Sequence, residues 1–397
     1  MNPIHIPTTV SGRPVTSRGV HLHPSGHHGF YMRDPTRRQK VIDLLVSMHM
    51  SWCVILTDGD SAVQLYDGKA PVEWLLDAGV IPIVRDFAIL PRKFNNMATV
   101  ERLATIYQRY NVPLLFKLWN EPQDRREWQG DPPDWWPKFI ERWNDAAPLV
   151  LAHGGYPGFP DGPGYDFREA HPFRDTDAQL WHDGLAWYGV HAYGKGRPLD
   201  YPRDDVSLYG VKLTQDVKDD ALDDYADDPN WTDPELYVTN IQRELWAGEG
   251  KTILDDDTCW RAWEKVDYYA RETLGHPVPM AVVEGGWVPR DRAGSGNADV
   301  RWPHTTPKMV AKKTLAAYQS DAPLFAICPW LLASSYMGKP DWEFDSWWGW
   351  AYRDRYGDEK PVIQALRDNP PAAQEPTATD KIVGARGLLA EAMGLVT

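Results

Sequence analysis

From about Val15 to Leu366 the chain alternates between two kinds of segment. One is a short run of Val, Ile, Leu and aromatic residues; the other is longer, with apolar side chains recurring at helical spacing. The first reads as strands covered on both faces, the second as amphipathic helices. "PVTSRGVHLHP", "SWCVILTD", "VIPIVRDF" and "VPLLFKLW" are the first four strands, and "LVLAHGG", "AWYGVHAYG", "PMAVVEGGW" and "LFAICPWLLAS" the last four. Between them fall helical stretches such as "DPTRRQKVIDLLVSMHM", "MATVERLATIYQRY" and "TCWRAWEKVDYYARETLG". Their ends carry signals: Asp34 and Pro35 begin one helix as N-cap and first residue, while Gly79 and Gly275 stop two others. Eight strand-then-helix units predict a closed (β/α)8 TIM barrel. An open doubly wound sheet fits less well, because no Gly-rich phosphate loop follows the first strand.

Two segments depart from the alternation. A long insertion at 194–250, rich in Asp, Tyr and Trp, follows the sixth strand. In a barrel that loop rises over the catalytic face, so it is expected to form one wall of a cleft. Beyond the barrel, which occupies residues 1–369, "NPPAAQEPTAT" reads as a linker over about 370–380 and 381–397 as a C-terminal helix. There Ile382, Leu389 and Val396 recur every seven residues, a stripe expected to dock on the barrel, with pairing to another copy or the start of a further domain as alternatives.

Composition narrows the partners. The 397 residues are 43% hydrophobic and 25% charged, which suits a soluble domain with a sizeable core. A formal charge of −14 argues against nucleic acid and against an anionic membrane surface. No run approaches the roughly 18 apolar residues of a membrane span. The opening "MNPIHIPTTVSGRP" lacks a secretory pattern, so the cytoplasm is the expected location, with a phage particle or a trimmed secreted form as alternatives. Cys53, Cys259 and Cys328 lie far apart in apolar runs and read as buried thiols, not as a disulfide or zinc framework. Tryptophan is abundant, at 20 residues beside 18 tyrosines, and several fall in expected loops: Trp119, Trp128, Trp287, Trp302, Trp330 and Trp347. Flat aromatic faces next to polar groups suit a sugar ring.

Barrel enzymes carry their reacting groups at the C-terminal ends of strands. Those ends supply His21 and His23, Asp58, Arg85 and Asp86, Asn120 and Glu121, His153, His191 and Tyr193, Glu284 and Trp287, and Trp330. Asp58 and Arg85 read as a structural pair, and Asp86 carries no signal. Glu121 and Glu284 close strands four and seven, so their side chains can converge across the mouth of the barrel. Glycoside hydrolysis needs such a pair, one to protonate the leaving oxygen and one to attack the anomeric carbon or activate water. The acid must hold its proton near neutral pH through burial or a negative neighbour. Glu284 is the expected neighbour.

Asn-Glu-Pro ending strand four, His-x-Tyr ending strand six, the glutamate of "VVEGGW" ending strand seven and a tryptophan on strand eight resemble the clan A glycoside hydrolases. That group includes the family 5 cellulases and mannanases and the family 39 enzymes. The resemblance implies a retaining β-glycosidase that needs no cofactor or metal and acts on a carbohydrate substrate. Glu121 would be the acid/base and Glu284 the nucleophile. Asn120 would bond the sugar 2-hydroxyl, Tyr193 would orient the nucleophile, His191 would border the acid/base, and Trp330 would form the floor. Many members carry an arginine at the end of strand two; here that strand ends "LTDGD", and Arg85 on strand three is the candidate for the role. Trp287 and His23 complete the expected sugar contacts.

"HLHPSGHHG" supports a rival reading. His-x-His at the end of a first barrel strand resembles the amidohydrolase superfamily, which implies zinc on His21 and His23, with His153, His191 and Lys117 near later ligand positions. The eighth strand lacks the aspartate which that family uses, and a zinc hydrolase has no need of the two glutamates. A non-catalytic sugar-binding barrel is the remaining alternative.

Overall fold

The computed structural model describes residues 1–22, 29–88, 90, 93–128, 130, 134–162, 166–216, 240–288, 299–302, 305–332, 347 and 359–371. Eight strands lie side by side in chain order: β1 (Gly19–His21), β2 (Trp52–Thr57), β3 (Ile81–Asp86), β4 (Leu114–Lys117), β5 (Gly155–Pro160), β6 (Trp187–Tyr193), β7 (Met280–Gly286) and β8 (Ala326–Ile327). Every neighbouring pair is parallel. Bridges from Arg18 to Ile327 and from His21 to Trp330 close the ring between β1 and the β8 segment. Here the Ile327 N–H donates to Ser17 O at 2.7 Å and the His21 N–H to Pro329 O at 2.9 Å. The chain is a (β/α)8 barrel, as the strand–helix alternation predicts.

The covering helices are α1 (Pro35–Ser47), α2 (Pro71–Asp77), α3 (Met97–Arg109), α4 (Trp135–Ala152), α5 (Ala178–His182), α6 (Ala262–Leu274), α7 (Pro307–Tyr318) and α8 (Pro361–Asp368). Local chemistry places their ends. The Asp34 carboxylate accepts from the N–H groups of Thr36 and Arg37 at the start of α1. Gly275 takes a left-handed conformation at the end of α6, and its N–H bonds Arg271 O. At the far end of the barrel from the site, buried Arg18 donates to Leu366 O and Asn369 O, satisfying carbonyls at the end of α8. A hairpin of Thr9–Val10 with Arg13–Pro14 does the same for α2, through Arg13 to Ala78 O and Ser11 to Leu76 O.

Two backbone irregularities shape the mouth. The β6–β7 register shifts between Val190 and His191, so that Val190 pairs with Val282 but His191 with Glu284. The extra residue on β7 is a bulge, and it sets Glu284 beside His191. After β4, Trp119 adopts φ +54° while fully buried, with its ring edge-on to Phe139 at 6.1 Å. A left-handed tryptophan is an outlier for L-residues, held there by its packing, and it turns the chain sharply into Asn120 and Glu121.

Several expectations change. "LVLA" is not strand five: α4 runs through Pro148 to Ala152, and β5 begins at Gly155. Trp143, Ala147 and Val150 continue the buried stripe of the helix, which the same apolar run serves as well as it would a strand. His153 is therefore the C-cap of α4, at the opposite end of β5 from the mouth. Only two residues of the eighth strand are regular. Of the insertion, residues 194–216 and 240–250 are described; the 381–397 helix and most of the linker lie outside the described residues. The described insertion is pinned by Arg197, which bonds Asp299, Asp256 and Thr258 O, and by Arg243, which donates to Arg301 O and Val211 O. Among the described residues, no helix is long and apolar enough to cross a membrane.

Candidate active site

Four strand ends meet at one point. Arg85 from β3 places Nη1 2.9 Å from Glu284 Oε2 and 3.0 Å from Asn120 Oδ1. The Tyr193 hydroxyl from β6 lies 2.7 Å from Glu284 Oε1 and 3.1 Å from Glu121 Oε1. A phenol has one proton, so the shorter contact takes it and the longer shares it. His191 Nδ1 is 2.9 Å from Glu121 Oε1, and its Nε2 is 2.7 Å from Lys117 Nζ and 4.0 Å from Glu284 Oε2. One ligand atom each from Glu121, His191 and Glu284 lies within 4.8 Å of the others. The two carboxylates thus converge, each with its own support: an arginine for Glu284, an imidazole for Glu121.

Asp58 is exposed, and Arg85 pairs with Glu284 instead, against the expected Asp58–Arg85 pair. A guanidinium seven per cent exposed, against a carboxylate thirteen per cent exposed, reaches across the barrel because β3 and β7 face each other over its mouth.

Charge states follow from burial. Desolvation raises the Glu121 pKa; Lys117, Tyr193 and Arg85 pull it back, and Asp124 adds slightly to the rise. The expected role of Glu284 as the negative neighbour is replaced by burial itself. Desolvation, then the Lys117 charge, pushes His191 well below its ordinary range, so the imidazole is neutral. Desolvation lowers Lys117 to about 7 and drives Tyr193 well above its ordinary value, so the phenol keeps its proton. Asp161, just after β5, accepts from the backbone N–H of His191 and from the Tyr188 hydroxyl and is raised by burial to about 7.

Asn120 is held on both sides of its amide. Oδ1 accepts from Arg85 and, at 3.4 Å, from Lys117; Nδ2 donates to Glu127 at 3.2 Å. Among the described residues the second Nδ2 hydrogen is given no bond. Trp330 is half-buried beside His21, with ring centroids 4.7 Å apart, and its peptide bond to Leu331 is cis.

Trp287 does not join the cluster. It is 2% exposed, its indole N–H donates to Arg197 O, and its ring packs on Trp260. Trp119, Trp128 and Trp347 are likewise buried, so four of the tryptophans expected to offer sugar-facing surfaces build the core instead. His23 lies outside the described residues. Lys117 appeared in the sequence only as an accessory to a zinc site, and Glu127 and Asp161 gave no sign. The one available signal was a lysine interrupting the apolar run "LLFKLW".

Among the described residues, Glu121, His191 and Glu284 are the group spaced to hold a metal ion. Glu284 Oε2 already accepts from Arg85, Glu284 Oε1 from Tyr193, and His191 Nε2 contacts Lys117, so the ligand atoms of two of the three are engaged by protein groups. The zinc reading also loses His153, which the fold puts at the other end of the barrel.

No protein-family model and no curated protein sequence matches the chain. Among solved structures it is similar to a GH128 (subgroup VII) oligosaccharide-binding protein from Trichoderma gamsii, at 12% identity over 93% of this chain and 97% of that one, TM-score 0.38. It is similar to endoglucanase Cel5A from Thermotoga maritima, at 11% identity over 88% and 96%, TM-score 0.40. A GH2 β-galacturonidase from Eisenbergiella tayi gives 12% identity over 92% and 53%, TM-score 0.46. At such identities and TM-scores these likenesses carry no argument about activity.

Proposed function

We propose that the protein is a retaining β-glycoside hydrolase acting on an oligo- or polysaccharide. The observation that carries this reading is the pair Glu121 and Glu284, with carboxyl oxygens within 4.8 Å, one paired to Arg85 and the other raised in pKa by burial. Inverting enzymes hold their carboxyl groups about 6.5–9.5 Å apart to admit a water, and retaining ones about 5–5.5 Å. The spacing here supports retention.

In the first step a Glu284 oxygen attacks the anomeric carbon while Glu121 gives its proton to the glycosidic oxygen. The carbon–oxygen bond to the leaving sugar breaks, and a glycosyl ester forms on Glu284. In the second step Glu121, now ionised, takes a proton from water, whose oxygen displaces Glu284 from the same carbon. Arg85 and Tyr193 hold the Glu284 carboxyl in position before it attacks and receive it again when water releases it. The remaining Nδ2 hydrogen of Asn120 is the donor for the sugar 2-hydroxyl, and Trp330 with His21 forms the floor under the ring.

The test is intact-mass labelling with 2-deoxy-2-fluoro glycosides of several sugar configurations, beside Glu284→Gln. A mass increase with one sugar, absent in the variant, is the expected result. A label on the variant, or on a residue other than Glu284, overturns the assignment.

A further inference from the structure

Lys117 occupies a place where a lysine is costly. It is completely buried on β4, one step inside the barrel from the two glutamates. The groups facing it come from every neighbouring strand: Arg85 of β3, Asp161 just after β5, His191 of β6 and Glu284 of β7, with Asn120 and Glu121 from its own strand end. Its Nζ contacts His191 Nε2 at 2.7 Å and Asn120 Oδ1 at 3.4 Å. The His191 side chain has no exposed surface, and its other nitrogen meets Glu121 Oε1 at 2.9 Å. One imidazole therefore bridges an amine and a carboxylate, with both nitrogens committed.

Counting protons gives the direction of each bond. An ammonium has three donors and no acceptor, so Nε2 is the accepting nitrogen. A neutral imidazole carries one proton, which then resides on Nδ1. Nδ1–H faces Glu121 Oε1, a carboxylate oxygen that accepts.

We propose that Lys117 is a positioning residue for the acid/base: its ammonium fixes His191 as the Nδ1–H tautomer and so holds a hydrogen-bond donor on Glu121 Oε1. This inference rests on reading Glu121 as the group that gives and takes the proton. Glu121 alternates between neutral and ionised during that cycle, and the donor strengthens when the carboxylate is charged. Without the ammonium two other states open. The Nε2–H tautomer sets a lone pair against the Glu121 carboxylate; a doubly protonated ring forms between Glu121 and Glu284, whose Oε2 is 4.0 Å from Nε2. Either state changes what Glu121 faces. The lysine removes the first by its donors, and its charge adds to the burial that already disfavours the second.

The experiment is proton–nitrogen correlation spectroscopy of the full chain with nitrogen-labelled histidine, between about pH 5 and 6, below the value of about 7 at which Lys117 loses its proton. The His191 signals are assigned by their loss in His191→Gln. The wild type is expected to show a pyrrole-type Nδ1 and a pyridine-type Nε2 throughout. Lys117→Met keeps the length of the stem and removes the donors and charge; in it Nε2 is expected to become pyrrole-type, through the other tautomer or a doubly protonated ring. A pyridine-type Nδ1 in the wild type overturns the proposal, as does a Lys117→Met spectrum identical to wild type at every pH. Circular dichroism checks that the variant folds; if it does not, the wild-type tautomer alone decides. No substrate enters this measurement. A fluoroglycoside label on a residue other than Glu284 would therefore overturn the glycosidase assignment and leave the tautomer result standing, and the reverse also holds.

Discussion

Asp86 follows Arg85 at the end of β3 and is 2% exposed. Its Oδ1 accepts from Asn96 Nδ2 at 2.7 Å, and its Oδ2 has no hydrogen-bond partner among the described residues. Burial pushes its pKa from the ordinary 3.8 to about 7; the Asn96 bond opposes the rise and Asp58 adds to it. A raised carboxylate binds more protons folded than unfolded between those two values, so its contribution to stability falls as pH rises through that window. The contribution is complete below about pH 4 and exhausted above about pH 7. At about 1.36 kcal/mol per pH unit the loss amounts to about 4 kcal/mol. Asp86→Asn keeps the acceptor for Asn96 and cannot ionise. Urea unfolding should therefore find the variant within about 1 kcal/mol of wild type near pH 4.5 and more stable by up to about 4 kcal/mol near pH 8. Comparing variant with wild type at each pH cancels Asp161 and the other raised carboxylates. If the difference is the same at both pH values, Asp86 ionises normally and the reasoning fails.

Arg85→Met leaves the largely buried Glu284 carboxylate without its ion-pair partner and should cost about 3–5 kcal/mol in denaturant unfolding. Adding Glu284→Gln should recover most of that loss, and a simple sum of the two single effects would refute the coupling. Trp287→Ala should cost about 3–5 kcal/mol as a core truncation, whereas Trp287→Phe, which loses the bond to Arg197 O, should cost about 1 kcal/mol. If Trp287→Ala instead weakened sugar binding at unchanged melting temperature, the tryptophan would be a ligand contact. Because burial raises Glu121, kcat/KM should fall only as pH rises through a value above the ordinary carboxylate range. Glu121→Ala should abolish that alkaline limb, and azide should restore turnover of a glycoside with a good leaving group. A limb that survives the substitution would assign the acid elsewhere.

Local signals were enough wherever one residue acts on its neighbours. Asp34 caps α1 through amides two and three residues on, and Gly275 ends α6 through its own φ. The two glutamates were legible because a strand end is a local feature and the barrel's symmetry says where such ends gather. "LVLA" misled because a four-residue apolar run satisfies either period, and only the packing of Trp143, Ala147 and Val150 chose the helix. The tryptophans misled for another reason. A loop tryptophan and a core tryptophan look alike in sequence until a second segment, such as Phe139 against Trp119, covers one of them.

By itself, then, the sequence determined the order of the eight strand–helix units, most of their ends, and which carboxylates would stand at the mouth. Only the tertiary structure decided what those carboxylates touch. Arg85 chose Glu284, 199 residues away, over the nearby Asp58. Lys117 and His191, 74 residues apart, became neighbours as β4 and β6 curled into the barrel, and a one-residue bulge in β7 set Glu284 beside His191. Hydrogen-bond direction and proton affinity depend on ångström-scale contacts and on exclusion of water, and both arise when distant strands pack.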